Sequence, residues 1–169
     1  MNKITPVSFS HIGITVPDLE KAISFYTEVM GWYHISGPIE VKENQENNLN
    51  RISKLIYGNG WRSFRFAHLS NGAGVGFEFF QFGDNKTLES VNTPFKTGIH
   101  HFCLQHPDPA ELLDRIVAGG GKIVMEPQLE YPDEKPYLMA FGEDPFGNTI
   151  EIYSHSYELH NIGPEGPII

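Results

Sequence analysis

The chain is poor in sulfur, because its 169 residues include a single cysteine, Cys103. An intramolecular disulfide is therefore excluded, and so is a metal cluster built from several thiolates. Such a composition suits a reducing compartment, and we expect a cytoplasmic protein. No apolar run approaches the roughly 20 residues that span a bilayer. The first residues also lack the apolar segment of a signal peptide, so no membrane association is expected.

Positive charge is also scarce. There are 12 lysines and arginines against 21 aspartates and glutamates, which gives a formal net charge of −9. Nucleic acids and anionic membrane surfaces attract clustered cations, so this balance argues against both as partners. Apolar residues make up 40% of the chain and aromatic residues 12%, which indicates a folded core. We therefore expect a folded protein with neither of these partners.

The strongest pattern in the sequence is an internal duplication. The first copy begins with HIGITVPD at His11 and the second with HFCLQHPD at His101, an offset of 90 residues (101 − 11). In both copies a short apolar segment is followed by Pro-Asp and then by a helical pattern. Asp18 and Asp108 are suitable N-caps for these two helices. The pattern predicts two equivalent modules.

Each module is predicted to have the order strand–helix–strand–strand–strand. The first module spans 7–83 and the second 97–155, with a linker around 83–97. The predicted later strands are Trp32–Ser36, Trp61–Leu69 and Val75–Phe82 in the first module, and Lys122–Glu126, Tyr137–Gly142 and Thr149–Ser154 in the second.

The modules differ by a polar insertion at 37–60 in the first. A short helix is predicted around Arg51–Tyr57. The insertion is either a lid over a binding site or a solvated excursion. The Gly- and Pro-rich tail from Tyr157 to Ile169 is predicted to be irregular.

Two glutamates occupy strands that are otherwise apolar. Glu78 lies within VGFEFF and Glu151 within TIEIY, each in the last strand of its module. A carboxylate on an alternating strand can simply point into solvent. The equivalent places of these two in the duplication favour a functional role instead.

Strand parity places both glutamates with two histidines. His11, Glu78, His101 and Glu151 all project from the less apolar side of their strands, while residues such as Ile150 face the core. If that side curls into a cavity, facing carboxylates would be costly without a cation. Two nitrogens and two carboxylates suit Zn, Ni, Co, Fe or Mn.

Two neighbouring residues leave alternatives open. His100 competes with His101 as a ligand, and parity favours His101 because His100 falls on the apolar side. Cys103 shares the site face, so it either lies near the metal or is a small buried apolar residue.

The motifs resemble those of the vicinal oxygen chelate superfamily. The resemblance is carried by SHIGITVPDLEKAISFYTEVMGW, HHFCLQHPDPAELLDRI and DPFGNTIEIYSH. Members include glyoxalase I, methylmalonyl-CoA epimerase, extradiol dioxygenases, and fosfomycin and bleomycin resistance proteins. The resemblance implies an α+β fold of two tandem βαβββ modules with curled mixed sheets, together forming one glyoxalase-like domain over 1–169.

The resemblance also implies a site and a chemistry. Superfamily ligands come from the first and last strands of each module, which here hold His11, Glu78, His101 and Glu151. A homodimer is expected, since one site can draw its two modules from different chains. The implied activity is that of a divalent-metal-dependent lyase or isomerase, which moves a proton on a chelated α-oxo compound or thiol adduct. Glu151 is the first candidate for the base and Glu78 the second.

Two other activities remain as alternatives. One is an extradiol-type Fe(II) dioxygenase. Such enzymes usually bind iron with two histidines and one carboxylate, so the second carboxylate, Glu78, argues against this activity. The other is a binding or resistance protein for a small toxic molecule, for which a complete ligand set is unexpected.

The sequence does not single out substrate-binding residues. Candidates for an anionic substrate group are Arg51, Arg62 and Arg65, each equally explained as a solvated charge. Candidates for a pocket lining are Phe80, Tyr153 and Trp61, although aromatic residues at strand spacing more often belong to the core.

Overall fold

The computed structural model describes residues 5–83 and 94–163. The chain divides into two compact units, residues 1–87 and residues 88–169. Each unit is built on a four-stranded sheet with helices packed on it, so the fold is α+β as predicted. No helix within the described ranges is long and apolar enough to cross a membrane. That both units form one domain stays a prediction.

The first unit follows the predicted order with one added helix. Its elements are β1 (His11–Thr15), α1 (Leu19–Glu28), β2 (Tyr33–Lys42), α2 (Asn48–Tyr57), β3 (Ser63–Ser70) and β4 (Gly76–Phe82). The sheet order is β1-β4-β3-β2, with β1 parallel to β4 and the other pairs antiparallel. The first strand of the unit therefore lies at the sheet edge, directly beside the last.

The second unit repeats this topology. Its elements are β5 (His101–Gln105), α3 (Pro109–Ala118), β6 (Lys122–Leu129), β7 (Leu138–Glu143), β8 (Thr149–Tyr153) and α4 (Tyr157–Asn161). The sheet order is β5-β8-β7-β6, again with the first strand parallel to the last. The two βαβββ modules predicted from the duplication are confirmed.

The helices begin where the caps were predicted and cover one face of each sheet. The Asp18 side chain accepts a hydrogen bond from the backbone N–H of Lys21 at 3.0 Å, and Asp108 accepts one from Glu111 at 3.1 Å. On α1, the Tyr26 ring packs 4.6 Å from that of Phe79. Phe79 of β4 thus faces α1, which places Glu78, its neighbour along the strand, on the opposite face of the first sheet.

The insertion is more regular than predicted. Strand β2 continues to Lys42, and α2 begins at Asn48 rather than around Arg51. The Asn47 side chain caps α2, and the Asn50 amide donates to the carbonyl of Lys42 at 2.6 Å. Helix α2 therefore rests on β2 through polar groups. Its outward side is apolar, with Leu49, Ile52, Leu55 and Ile56 exposed.

The prediction of an irregular tail was wrong for its first residues. Helix α4 forms because the Ser156 hydroxyl caps it and because His160 is fully buried, with its ring stacked 3.9 Å from that of Tyr153. The expected linker falls largely in residues 84–93, which lie outside the described residues, as do residues 164–169.

Candidate metal centre

In the first unit, His11 and Glu78 lie side by side. Strand β1 runs parallel to β4 with Gly13 opposite Glu78, so His11, two residues earlier, projects from the same face. The Nε2 atom of His11 is 3.7 Å from Oε2 of Glu78. The edge position of β1 leaves the His11 side chain 53% exposed, against 28% for that of Glu78.

The second unit contains an equivalent pair. Cys103 lies opposite Glu151 in the parallel register of β5 and β8, so His101 projects beside Glu151. The Nε2 atom of His101 is 3.1 Å from Oε2 of Glu151. Glu151 is buried, at 8% exposure, while Ile150 and Ile152 on the opposite face are fully buried, as parity predicted.

His100 does not take the place of His101. Its Nδ1 atom lies 3.0 Å from Nδ1 of His101, on the side of the ring away from the contact with Glu151. In such a contact one Nδ1 atom donates a hydrogen bond to the other. The Nε2 atom of His101 is the nitrogen that lies near the carboxylate of Glu151.

His68 is a site residue that the sequence reasoning missed. It lies on β3 directly opposite Glu78 in the antiparallel register, and its Nε2 atom is 3.2 Å from Oε1 of Glu78. The duplication does not select His68, because the matching position of the second module holds Phe141, which faces Glu151. The β3–β4 hairpin could have indicated this contact from the sequence, because a register that pairs Ser70 with Gly76 also places His68 opposite Glu78.

Cys103 lies beside Glu151, but it is exposed and not the small buried apolar residue considered from the sequence. Nearby protein atoms nevertheless desolvate its thiol. This desolvation, together with the negative charge of Glu151, raises the pKa of Cys103 from 9.0 to about 12. The thiol is therefore protonated at neutral pH.

An aromatic surface adjoins Glu78 on the same face of the first sheet. The rings of Phe66 and Phe80 stack at 5.8 Å, and the edge of Phe66 meets His68 at 5.1 Å. Tyr57 at the end of α2 packs edge-on against Phe82 at 5.6 Å. Burial, and secondarily the charge of Glu78, raise the pKa of Tyr57. The insertion thus brings a phenol to the side of the sheet that carries Glu78.

The three arginines considered for an anionic substrate group lie in different surroundings. Arg65 forms a salt bridge with Glu20, so its charge is already paired. Arg62 lines an open surface cavity of about 580 Å³ together with Lys42 and Lys54. Arg51 lines another open cavity, with Asn47 among its neighbours.

All three aromatic candidates pack against other aromatic residues. Tyr153 is buried against His160, and Trp61 packs on a cluster that contains Phe64. Phe80 packs against the same cluster as Trp61, and both rings remain partly exposed, but Phe80 also shares its face of β4 with Glu78.

Each histidine–glutamate pair has a spacing that suits two neighbouring ligands of a metal ion. Ligands held about 2.0–2.2 Å from a zinc ion are roughly 3.0–3.5 Å from each other. The pair at Glu151 matches this spacing at 3.1 Å, and the pair at Glu78 is slightly wider at 3.7 Å. In residues 5–83 and 94–163, no three histidine, cysteine, aspartate or glutamate side chains are grouped closely enough to hold an ion as they stand. The imidazole and carboxylate donors of each pair fit a divalent metal.

The sequence profile of the Glyoxalase/Bleomycin resistance protein/Dioxygenase superfamily matches residues 8–152. The protein belongs to this superfamily. The match spans both modules, including the first strand and the last strand of each, and confirms the resemblance seen in the motifs.

Individual relatives are distant. A lactoylglutathione lyase of Arabidopsis thaliana is 26% identical over 145 residues, which cover 85% of this chain and 43% of that protein. A glyoxalase family protein from Bacillus cereus superposes with a TM-score of 0.71 at 20% identity, covering 90% of this chain and 97% of that one. Glyoxalase I from Zea mays gives 0.57 at 22% identity, covering 88% and 44%. The solved structures establish the fold, and this chain spans less than half the length of the plant proteins.

Proposed function

We propose that this superfamily member is a divalent-metal-dependent enzyme of the glyoxalase type. It acts as a lyase or isomerase by proton transfer on a small α-oxo compound or its thiol adduct. The ion is held by His11, Glu78, His101 and Glu151, within one chain or across a homodimer. The observation that carries the proposal is the pair of matched histidine–glutamate contacts at equivalent positions of the two units.

The bound ion supplies Lewis acidity toward two neighbouring substrate oxygens. The protein supplies the base, and Glu151 is the first choice, with Glu78 second. Glu151 lies in a less hydrated environment, at 8% exposure, and only one of its oxygens is near His101. Both oxygens of Glu78 already face histidines. A positioned carboxylate of this kind contributes about 10²–10⁴-fold to a proton transfer.

The surroundings of Glu78 suggest how the rest of the substrate is bound. The partly exposed ring of Phe80 and the Tyr57 ring offer an apolar surface to the hydrocarbon part of an α-oxo compound. The Arabidopsis relative is a lactoylglutathione lyase, which directs the proposal to thiol adducts of α-oxo aldehydes.

Ligand count favours proton transfer over oxygenation. Four protein ligands on a six-coordinate ion leave two positions, which a bidentate substrate fills, so no position is left for O₂. An extradiol-type dioxygenase would need Glu78 to stay outside the coordination sphere.

The test is an activity screen on methylglyoxal–thiol adducts and on catechols, with Zn(II), Ni(II) and Fe(II) supplied in turn under air and under argon. We expect turnover of the adduct that is indifferent to O₂ and falls at least about 100-fold in Glu151→Gln. Glu126→Gln is the matched control, because Glu126 is an exposed strand glutamate of the same unit. Catechol cleavage that consumes O₂ and requires Fe(II) would overturn the proposal.

The homodimer and the cytoplasmic location also stay predictions. Light scattering coupled to size-exclusion chromatography measures the first, and cell fractionation measures the second. Purification as a monomer that still binds one ion per chain would place the whole site within one chain.

A further inference from the structure

We infer that His68 is a positioning residue for the metal ligand Glu78: it holds one carboxylate oxygen so that the other faces His11. The inference rests on the proposed function, because it takes Glu78 as a ligand. It concerns a residue outside the four that the duplication selects.

The two oxygens of Glu78 are divided between two histidines. Oε1 lies 3.2 Å from Nε2 of His68, and Oε2 lies 3.7 Å from Nε2 of His11. The first separation is a close polar contact, and the second is longer. His68 therefore fixes the rotation of the carboxylate, and Oε2 is the oxygen left for an ion that His11 also binds.

His68 is itself held from the opposite side of its ring. Its Nδ1 atom lies 2.9 Å from the hydroxyl oxygen of Ser36. When the Ser36 hydroxyl donates to Nδ1, the ring proton is on Nε2, the nitrogen that faces Glu78, so one tautomer suits both contacts. The edge contact with Phe66 further restricts the ring plane.

An irregularity in β2 brings Ser36 to this position. The register of β2 against β3 shifts on both sides of Ser36, which leaves it opposite His68. Gly37 follows with a φ of +99°, and a Cβ there would lie 2.7 Å from the carbonyl oxygen of Phe66. The bulge is thus built on a residue that has to be glycine, and its local effect is to seat Ser36 on the histidine.

The second unit shows that the fold itself does not require a histidine at this place. Phe141 occupies the equivalent strand position opposite Glu151 and cannot donate a hydrogen bond. The polar chain from Ser36 through His68 to Glu78 is therefore specific to the first half of the site. A phenylalanine at 68 is sterically reasonable, because this topology already accommodates one at the matching position.

Positioning of this kind has a measurable consequence. Hydrogen-bond partners of metal ligands typically account for about 10–100-fold in metal affinity. We expect an effect in this range, because the Glu78 side chain is 28% exposed and His68 is the nearer of its two histidine neighbours.

The experiment measures metal dissociation constants for the metal-free full chain by competition with a chromophoric chelator, using Zn(II) and Ni(II). Four variants are compared: His68→Phe, His68→Gln, His68→Asn and Ser36→Ala. The glutamine amide reaches as far as Nε2 and can still donate to Glu78, whereas the asparagine amide mimics Nδ1 and cannot. Melting temperature and circular dichroism verify that each variant is folded.

We expect His68→Phe and His68→Asn to weaken binding by about 10–100-fold, His68→Gln to keep the wild-type constant, and Ser36→Ala to fall between them. An unchanged constant in His68→Phe would overturn the positioning role. A His68→Gln variant as weak as His68→Phe would also overturn it, since the imidazole would then be needed as a ligand. If the wild-type chain binds neither ion, the proposed metal centre fails together with this role, whereas wild-type binding with an insensitive His68 rejects the inference alone.

Discussion

The turn before β8 offers a prediction whose magnitude can be worked out from its hydrogen bonds. Asp144 is 2% exposed, and its carboxylate accepts three hydrogen bonds. Oδ1 accepts from the backbone N–H groups of Phe146 and Asn148 at 2.9 and 2.8 Å, and Oδ2 accepts from the Asn148 side chain at 2.8 Å. This turn sets the start of the strand that carries Glu151.

The change Asp144→Ala removes these three hydrogen bonds. It also leaves the backbone N–H groups of Phe146 and Asn148 without their carboxylate acceptor. Each hydrogen bond to a charged group contributes about 1.5–3 kcal/mol, but bonds that share one carboxylate are not additive. We expect a loss of about 3 kcal/mol in the free energy of unfolding. Asp144→Asn keeps an acceptor at Oδ1 and places an amide donor against that of Asn148, so its cost should be about 1–2 kcal/mol.

Thermal and urea unfolding should be followed by two probes. Both tryptophans, Trp32 and Trp61, lie in the first unit, so their fluorescence reports on that unit, while circular dichroism reports on both. A loss of 3 kcal/mol lowers the melting temperature by about 6–12 °C if the whole chain melts together, and by about 12–24 °C if the smaller second unit melts alone. In the second case only the dichroism transition moves.

Asp114→Ala is the control, because Asp114 is an exposed aspartate of the same unit. A loss below about 1 kcal/mol in Asp144→Ala would show that solvent replaces these bonds and would refute the reasoning. Equal losses in the alanine and asparagine variants would refute the role assigned to the negative charge.

Three further predictions concern the site and its support. With a pKa of about 12 in place of 9.0, Cys103 in the metal-free chain should be alkylated roughly a thousand times more slowly at pH 8 than a free thiol, and the rate should rise with pH until about 12. Glu151→Gln should accelerate the alkylation without restoring the free-thiol rate, because desolvation remains the larger cause; equal rates in both proteins would contradict the assigned contact. Gly37→Ala should lower stability by at least about 1–3 kcal/mol in urea unfolding and weaken metal binding, because the new Cβ displaces the bulge under Ser36, whereas Gly72→Ala, where nothing lies within 4 Å, should do neither. Adding Zn(II) at 100 times its dissociation constant should stabilise the chain by about 2.7 kcal/mol in the same assay, and a stabilisation retained in Glu78→Gln and Glu151→Gln would exclude these ligands.

The sequence was sufficient for features that depend on local periodicity. Asp18 and Asp108 were identified as caps because a helix start needs a side-chain acceptor at one defined position. The common face of Glu78 with its strand neighbours followed from the two-residue period of a strand, and the buried Ile150 and Ile152 confirm it in the second unit. The duplication indicated which residues of the two modules are equivalent, because the motifs match in sequence whatever the packing of the strands.

Other features depended on which strands become neighbours and in what register. The contact between His11 and Glu78 exists because β1 and β4, some 65 residues apart (76 − 11), pair in parallel, and parity within one strand carries no information about that pairing. His68 was missed because its role depends on the β3–β4 register and on a bulge in β2 that seats Ser36 against it. Helix α4 escaped prediction because a short helix in a Gly- and Pro-rich tail has weak local signals, and the burial of His160 against Tyr153 stabilises it. Periodicity thus assigned side chains to faces, whereas long-range strand pairing decided which of those side chains touch.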